Sequence, residues 1–256
     1  MNPLKPYLAE EKYENTMSFN YLDHYKKDAE AFDYFEERTG ATEHDERRVR
    51  EYILSKTPKD NSPILDVGCG SAWVARHFTN KGRPVISLDI SHINTVKALS
   101  LVPSDKHSAV VANSLQLPFP DNSISTIIAS EVIEHIVEPA AFIKELFRVV
   151  KPGGELIITT PYKERIQYCL CIHCNQKTPL HAHLHSFSEQ MLTGYYTGSD
   201  LQSCSYHIFG NKALIFLRTY TVLRIFPFWL WKLTDALFNK LIPKKAHILV
   251  RWQKIS

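Results

Sequence analysis

A short apolar run that ends in an acid and two glycines, Ile64-Leu-Asp-Val-Gly-Cys-Gly70, constrains this chain more than any other stretch. It reads as a buried strand breaking into a tight turn, with a helix beginning near Ala72. Gly68 and Gly70 carry no Cβ, so the backbone of the turn can approach a ligand closely. A second apolar run, Val85-Ile-Ser-Leu-Asp89, closes on an acid roughly 20 residues later, where a carboxylate can accept from both hydroxyls of a ribose. These parts together describe a nucleoside pocket.

The missing features narrow the nucleoside. A dinucleotide turn follows G-x-G-x-x-G, whose third glycine lets the helix approach and hold a pyrophosphate. Here that position is Trp73, and no G-x-x-x-x-G-K-[ST] loop occurs anywhere. Asp66, just before the glycines, repels phosphate and suits a cationic nucleoside that bears an amino acid. S-adenosylmethionine fits that description.

Five segments now stand in order: Leu65-Asp-Val-Gly-Cys-Gly70, Ser87-Leu-Asp-Ile90, Ala112-Asn-Ser-Leu-Gln-Leu-Pro-Phe-Pro-Asp121, Ser130-Glu-Val-Ile-Glu-His135 and Leu146-Phe-Arg-Val-Val-Lys-Pro-Gly-Gly154. With them the chain resembles the class I S-adenosylmethionine-dependent methyltransferases over roughly residues 62–193. Two departures stand out: the family's third glycine is lost in Ser71-Ala72, and Asn113 replaces the usual Asp. The resemblance implies that Asp66, Gly68, Cys69 and Gly70 form the seat of the methionine part, with Cys69 a small buried residue of the turn. It implies further that Asp89 takes the ribose, Ile90 flanks the adenine, Asn113 and Ser114 reach its edge, and Ser130 lies under the sulfonium.

Strands are expected over 64–67, 85–89, 109–112, 124–129, 155–160, 203–209 and 248–253. Helices are expected over 72–81, 93–101, 140–150 and 188–195, the third opened by Pro139 and closed by Gly153-Gly154. Strands alternating with helices mean a doubly wound, mostly parallel α/β sheet with its ligand at the strand C-terminal ends. The full expectation is a seven-stranded Rossmann-like sheet with helices on both faces and an antiparallel last strand. Residues 1–60 are expected to form a helical cap, entered at Thr42-Glu-His-Asp45. Tyr21, Tyr25 and Tyr34 of that cap are candidates to line an acceptor pocket. Residues 61–256 then carry the main domain, with a Cys/His loop at 168–187 and an apolar helical insertion at 212–245.

A formal charge of only +3 gives nucleic acid little to bind, and no nucleic-acid partner is expected. Five cysteines and a start, Met1-Asn-Pro-Leu-Lys-Pro, that resembles no leader suggest a reducing, cytoplasmic setting. Oligomeric state is left open.

Cys171-x-x-Cys174 offers two thiolates in a tight turn, and His183 and His185 put two rings on one side of an extended segment. The expectation is a structural zinc in a Cys₂His₂ site, with Cys169 and His181 as substitute ligands. Two alternatives stand beside it: an unmetallated loop whose His185 faces the acceptor, and thiol chemistry such as arsenite methylation. Glu131, Glu134 and His135 follow the fourth strand. His135 and Glu131 are the candidate catalytic groups, with His135 as general base because an unperturbed imidazole titrates near operating pH.

In the insertion, Phe216, Tyr220, Leu223, Pro227, Leu230, Leu237 and Leu241 share a face at helical spacing, with Trp229 and Trp231 beside lysines and arginines. No run reaches the ~18 apolar residues of a membrane span. A peripheral membrane contact, or a lid for a small-molecule or lipid-linked acceptor, is the functional expectation; packing against the sheet or a dimer contact is the other. The expected activity is O-methylation in cell-envelope or quinone-type biosynthesis, with a non-catalytic cofactor-binding module or an RNA methyltransferase as alternatives.

Overall fold

In the computed structural model, which describes residues 19–256, one seven-stranded sheet organises the chain. Strands β1 (Ile64–Val67), β2 (Val85–Asp89), β3 (His107–Val111), β4 (Ile124–Ser130) and β5 (Val150–Pro161) run parallel in the order β3-β2-β1-β4-β5. A later strand, β9 (Lys245–Lys254), joins antiparallel to β5, and β8 (Leu201–Asn211) pairs antiparallel with β9 at the edge. The expected mostly parallel sheet with antiparallel pairing at its end is therefore present.

Every residue of β1 is buried, because β2 and β4 flank it and helices cover both faces. That is why the run reads as continuously apolar rather than alternating. Helices α3 (Trp73–Thr79), α4 (His92–Leu101), α5 (Pro139–Val149) and α6 (Glu189–Gly194) fill the intervals. Pro139 stands in the first turn of α5, where its missing N–H costs nothing, and Phe142, Ile143, Leu146 and Phe147 bury one face of that helix. Gly153-Gly154 does not close α5 as expected, since the pair lies inside β5. A Cβ on Gly154 would stand 2.6 Å from the Ser125 carbonyl oxygen, at the register shift between β4 and β5.

Helices α1 (Tyr21–Ala31) and α2 (Gly40–Lys56) precede the sheet. The N-cap of α2 is Thr39, three residues before the expected Thr42, and the rest of the expected cap, residues 1–18, lies outside the described residues. Tyr52 of α2 stacks on Phe209 with ring centroids 4.0 Å apart, which fixes the helix to the antiparallel edge.

The insertion is not one amphipathic helix. It divides into α7 (Lys212–Phe216), α8 (Tyr220–Leu223) and α9 (Phe228–Leu241), broken at Arg218, whose φ is +55°, and at Pro227. The expected common face is lost with it: Leu223 is buried while Phe216, Leu237 and Leu241 are exposed. Trp231 and Asp235 face inward instead, and Trp229, Leu233, Leu237 and Leu241 form an outer stripe at four-residue spacing.

Buried Arg48 of α2 donates to the Leu223 carbonyl at 2.5 Å and the Phe226 carbonyl at 3.0 Å, and its guanidinium lies 5.1 Å from the Trp231 ring centre. It thereby caps the carbonyl end of α8. Asp235 accepts from the Gly210 N–H at 3.1 Å and the Asn239 amide at 3.0 Å, tying α9 to β8. Burial pushes the Asp235 carboxyl up to about 6, with those two hydrogen bonds opposing. A carboxyl whose folded pKa is raised favours the fold at low pH and loses that advantage as pH rises through about 6. Asp235→Asn, which keeps an acceptor oxygen, should raise the melting temperature more at pH 8 than at pH 5, read by calorimetric melts at both.

Candidate active site

The ends of β1, β2 and β4 build the cleft. Leaving β1, the chain turns through Gly68 at φ +70° and Gly70 at φ +40°, while the N–H groups of Gly68 and Cys69 donate to the Leu88 carbonyl at 2.8 and 3.1 Å. A Cβ at Gly68 would stand 2.6 Å from a Val132 methyl, so only glycine fits there. Ala72 keeps the left-handed φ of +54° that a glycine in its place would adopt freely.

Asp66 is buried, and one of its carboxylate oxygens has no hydrogen-bond partner among the described residues. Burial, and then the charge of Asp89, push its carboxyl well above the usual range. Asp89 ends β2 with one oxygen accepting from the Ser91 N–H at 2.9 Å and the other 3.9 Å from the Cys69 sulfur. Burial raises it too, against its local hydrogen bonds. Two carboxyls held in a dry cleft, one without a partner, form an electrostatic sink for a cation. The positive charges of S-adenosylmethionine fit that sink, and the glycine turn leaves its backbone open to the ligand.

The remaining cofactor candidates gather around the same edge. Asn113 donates to the Tyr21 hydroxyl at 2.7 Å and accepts from the Leu115 N–H at 3.0 Å, so its carbonyl already closes a turn. Ser114 follows Asn113, Ile90 follows Asp89 at the end of β2, both are partly buried, and Ser130 shares a hydrogen bond with Thr159 at 3.2 Å. Tyr25 donates to the His135 carbonyl at 3.2 Å, which lays α1 across the strand ends. Tyr34 donates to Asp28 within the same segment.

Beyond β4, Glu131 takes a left-handed φ of +54°. Its Oε2 lies 3.5 Å from His247 Nδ1, and its Oε1 is buried without a hydrogen-bond partner among the described residues. His247 also donates to Asp45 at 2.9 Å, so residues from α2, the end of β4 and β9 meet at one charge cluster. Burial opposes the charge on His247, but Asp45 and Glu131 outweigh it and hold the imidazole well above its ordinary range.

His135 differs from the expected base. Its Nδ1 lies 3.2 Å from the Ala182 carbonyl, and burial, helped by neighbouring His183, pushes it down to about 4. The ring is neutral at operating pH and a weak base. Glu134 is buried, accepts from the Thr160 hydroxyl at 3.0 Å, and is raised well above the carboxylate range by burial and by Glu131.

The expected Cys₂His₂ site does not form. A hairpin of β6 (Tyr168–Leu170) and β7 (Lys177–Pro179), unforeseen from the sequence, carries Cys171 and Cys174 at its tip beside fully exposed Ile172. The Cys171 sulfur takes the N–H groups of Cys174 and His173, which lowers its thiol below the usual range. His183 and His185 leave the hairpin base in the other direction and dock on the turn after β4, where the N–H groups of Leu184 and His185 donate to the Glu134 carbonyl. The His185 ring bonds the backbone at Ile136 and Val137. Among the described residues, the group of three donors close enough for a metal is instead Glu134, His135 and His183. The sequence placed Glu134 after the fourth strand and His183 in the zinc loop, but not their meeting with His135, because it depends on a chain reversal between residues 48 apart. His247 and Asp45 carried no motif at all.

A groove at the α5–β9 edge offers no comparable site, since Arg148 there pairs with Glu145 and Asp121, and Lys254 with Asp200.

Residues 65–158 match the family model described as a methyltransferase domain. That segment carries a methyltransferase domain of the S-adenosylmethionine-dependent type. The chain is 35% identical over 102 residues to the chloroplastic tocopherol O-methyltransferase of Arabidopsis thaliana, covering 38% of this chain and 29% of that protein. Against the mitochondrial ubiquinone biosynthesis O-methyltransferase of Bos taurus it is 35% identical over 121 residues, covering 45% and 33%. The matching segment thus spans about a third of the curated relatives' length. Among solved structures, an S-adenosylmethionine-dependent methyltransferase from Mesorhizobium loti superposes with a TM-score of 0.56 at 15% identity, covering 82% of this chain and 99% of that one. The [4+2]-cyclase SpnF superposes equally well, at 0.56 and 17% identity over 81% of this chain and 80% of that one, so the fold alone does not fix the reaction.

His247→Ala should cost about 3 kcal/mol, since it leaves Asp45 and Glu131 facing each other without the buried cation between them. In the unaltered chain the His247 contribution is complete below pH 6.5 and fades as pH rises through its raised folded pKa. Urea unfolding across pH 6 to 10 reads both effects.

Proposed function

We propose that this chain transfers the methyl group of S-adenosylmethionine to an oxygen of a small or lipid-linked, quinone-type acceptor. The observation that carries the cofactor part is the pair of buried carboxyls, Asp66 and Asp89, on either side of the glycine turn. The oxygen acceptor is favoured by the names of the tocopherol and ubiquinone O-methyltransferases to which the central segment is similar.

Methyl transfer from a sulfonium is an in-line displacement. An acceptor oxygen forms the new C–O bond, the C–S bond breaks with its electron pair going to sulfur, and the acceptor's proton must leave. The cofactor supplies the leaving group, so the protein positions the acceptor and takes the proton. Glu131 suits the second task, because its unpartnered Oε1 belongs to a carboxylate that His247 holds from behind. His135, neutral and fixed through Nδ1, suits the first.

The outer stripe of α9, with Trp229 63% and Leu241 69% exposed, favours an acceptor delivered at a lipid surface. Lys232, Lys240 and Lys244 lie exposed along the same insertion. No helix among the described residues is long and apolar enough to cross a membrane.

Asp89→Ala removes charged hydrogen bonds worth roughly 1.5–3 kcal/mol to the ribose and should weaken cofactor affinity at least tenfold by titration calorimetry. Unchanged affinity would sink the cofactor assignment. Labelled cofactor supplied with a quinol should yield an O-methylated product by mass spectrometry; tight cofactor binding with no turnover on hydroxylated acceptors would point to a binding module. Separately, the chain should co-sediment with anionic vesicles, less so as salt rises, each surface lysine adding about 1 kcal/mol. Trp229→Ser should reduce that binding while cofactor affinity stays put, and a protein that remains in the supernatant at low salt makes the stripe an ordinary surface.

A further inference from the structure

We infer that Glu134, His135 and His183 form a binding site for a divalent cation of the zinc class at the mouth of the cofactor cleft. One donor atom from each residue lies within 4.8 Å of the others, and the two imidazole rings stand 4.9 Å apart at 79°. A metal with bonds of about 2.1 Å holds its donors about 3–3.5 Å apart, so small side-chain movements complete the set.

What distinguishes this cluster is that each member is held by its other end. Glu164 lies 2.6 Å from His183 Nδ1, and the Ala182 carbonyl lies 3.2 Å from His135 Nδ1. Both contacts fix the tautomer that leaves Nε2 as the lone-pair donor, the carboxylate–histidine and carbonyl–histidine arrangement of metal ligands. The Thr160 hydroxyl holds Glu134 Oε2 at 3.0 Å and leaves the second oxygen for the cation. A buried acid with Glu164 close by, two imidazoles and no lysine or arginine in the cluster favour a cation between them electrostatically. Two imidazoles select zinc, cobalt or iron over magnesium, and three protein ligands leave positions open for oxygen.

The site deepens the proposed reaction, and rests on it only for its role: a hydroxylated acceptor would take an open position with its oxygen on the metal. Metal binding itself can be measured without cofactor or acceptor, so it fails or holds independently of methyl transfer.

The full chain carrying Cys171→Ser and Cys174→Ser removes the hairpin thiols as competing ligands. Stripped of metal and titrated with zinc, it should bind about one ion per chain by calorimetry and show no comparable heat with magnesium. Adding His183→Ala should weaken zinc at least tenfold, and Glu164→Gln, which unfastens His183, should weaken it by about tenfold or more. Unchanged S-adenosylmethionine affinity in each variant confirms an intact cleft, and His183→Ala suffices if His135→Ala does not fold. With cobalt in place of zinc, the unaltered chain should give d–d bands from nitrogen and oxygen ligands without a thiolate charge-transfer band from the site. Loss of zinc in the cysteine variant, or full zinc affinity after His183→Ala, overturns the inference.

Discussion

Three carboxyl groups carried into a nearly dry sheet edge set the terms for everything around them. Asp66, Asp89 and Glu134 stand at or just beyond the C-terminal ends of β1, β2 and β4, each 9% exposed or less. Parallel strands buried on both faces bring them there, because the register that packs Ile64, Leu65 and Val67 between helices also points Asp66 into the cleft. Burial raises all three, so the empty fold carries them at a cost that a bound cation relieves. Asp66 and Asp89 flank the glycine turn and suit a sulfonium nucleoside; Glu134, among imidazoles, suits a metal.

The parallel half of the sheet was legible because its signals are local. A buried strand ending in an acid and glycines needs no distant information, and 64–67 and 85–89 emerge with the bounds expected of them. What was not legible depends on where the chain returns. Cys171, Cys174, His183 and His185 look like one ligand set in sequence, yet a hairpin of three residue pairs separates the thiols from the imidazoles. His135 looked like a base with an ordinary pKa, and burial, with His183 beside it, removes that property against the opposing Ala182 hydrogen bond. The insertion's periodicity misled for another reason. Arg218 and Pro227 break the helix, so each segment has its own face.

The relatives share a methyltransferase segment and fix no acceptor for this chain. That segment holds the glycine turn and Asp89, whereas α1, the hairpin and the insertion lie outside residues 65–158. Substrate choice in such a fold belongs to those added parts. Their chemistry here is aromatic, imidazole-rich and, on α9, openly apolar.

Those added parts are not independent of the sheet. Asp45 and Arg48 stand one turn apart on α2: the first holds His247 of β9 and through it Glu131, and the second holds the end of α8. A displacement of the insertion therefore pulls on the same helix that positions the charge behind Glu131. Arg48 is 1% exposed, bonded to two carbonyls through one nitrogen and to Glu51 of its own helix through another, so its release leaves buried donors unsatisfied and favours motion of α2 together with α8. Docking of the α9 stripe on a surface would thus be felt at Glu131 through one helix, a coupling by packing and charge rather than by a flexible lid.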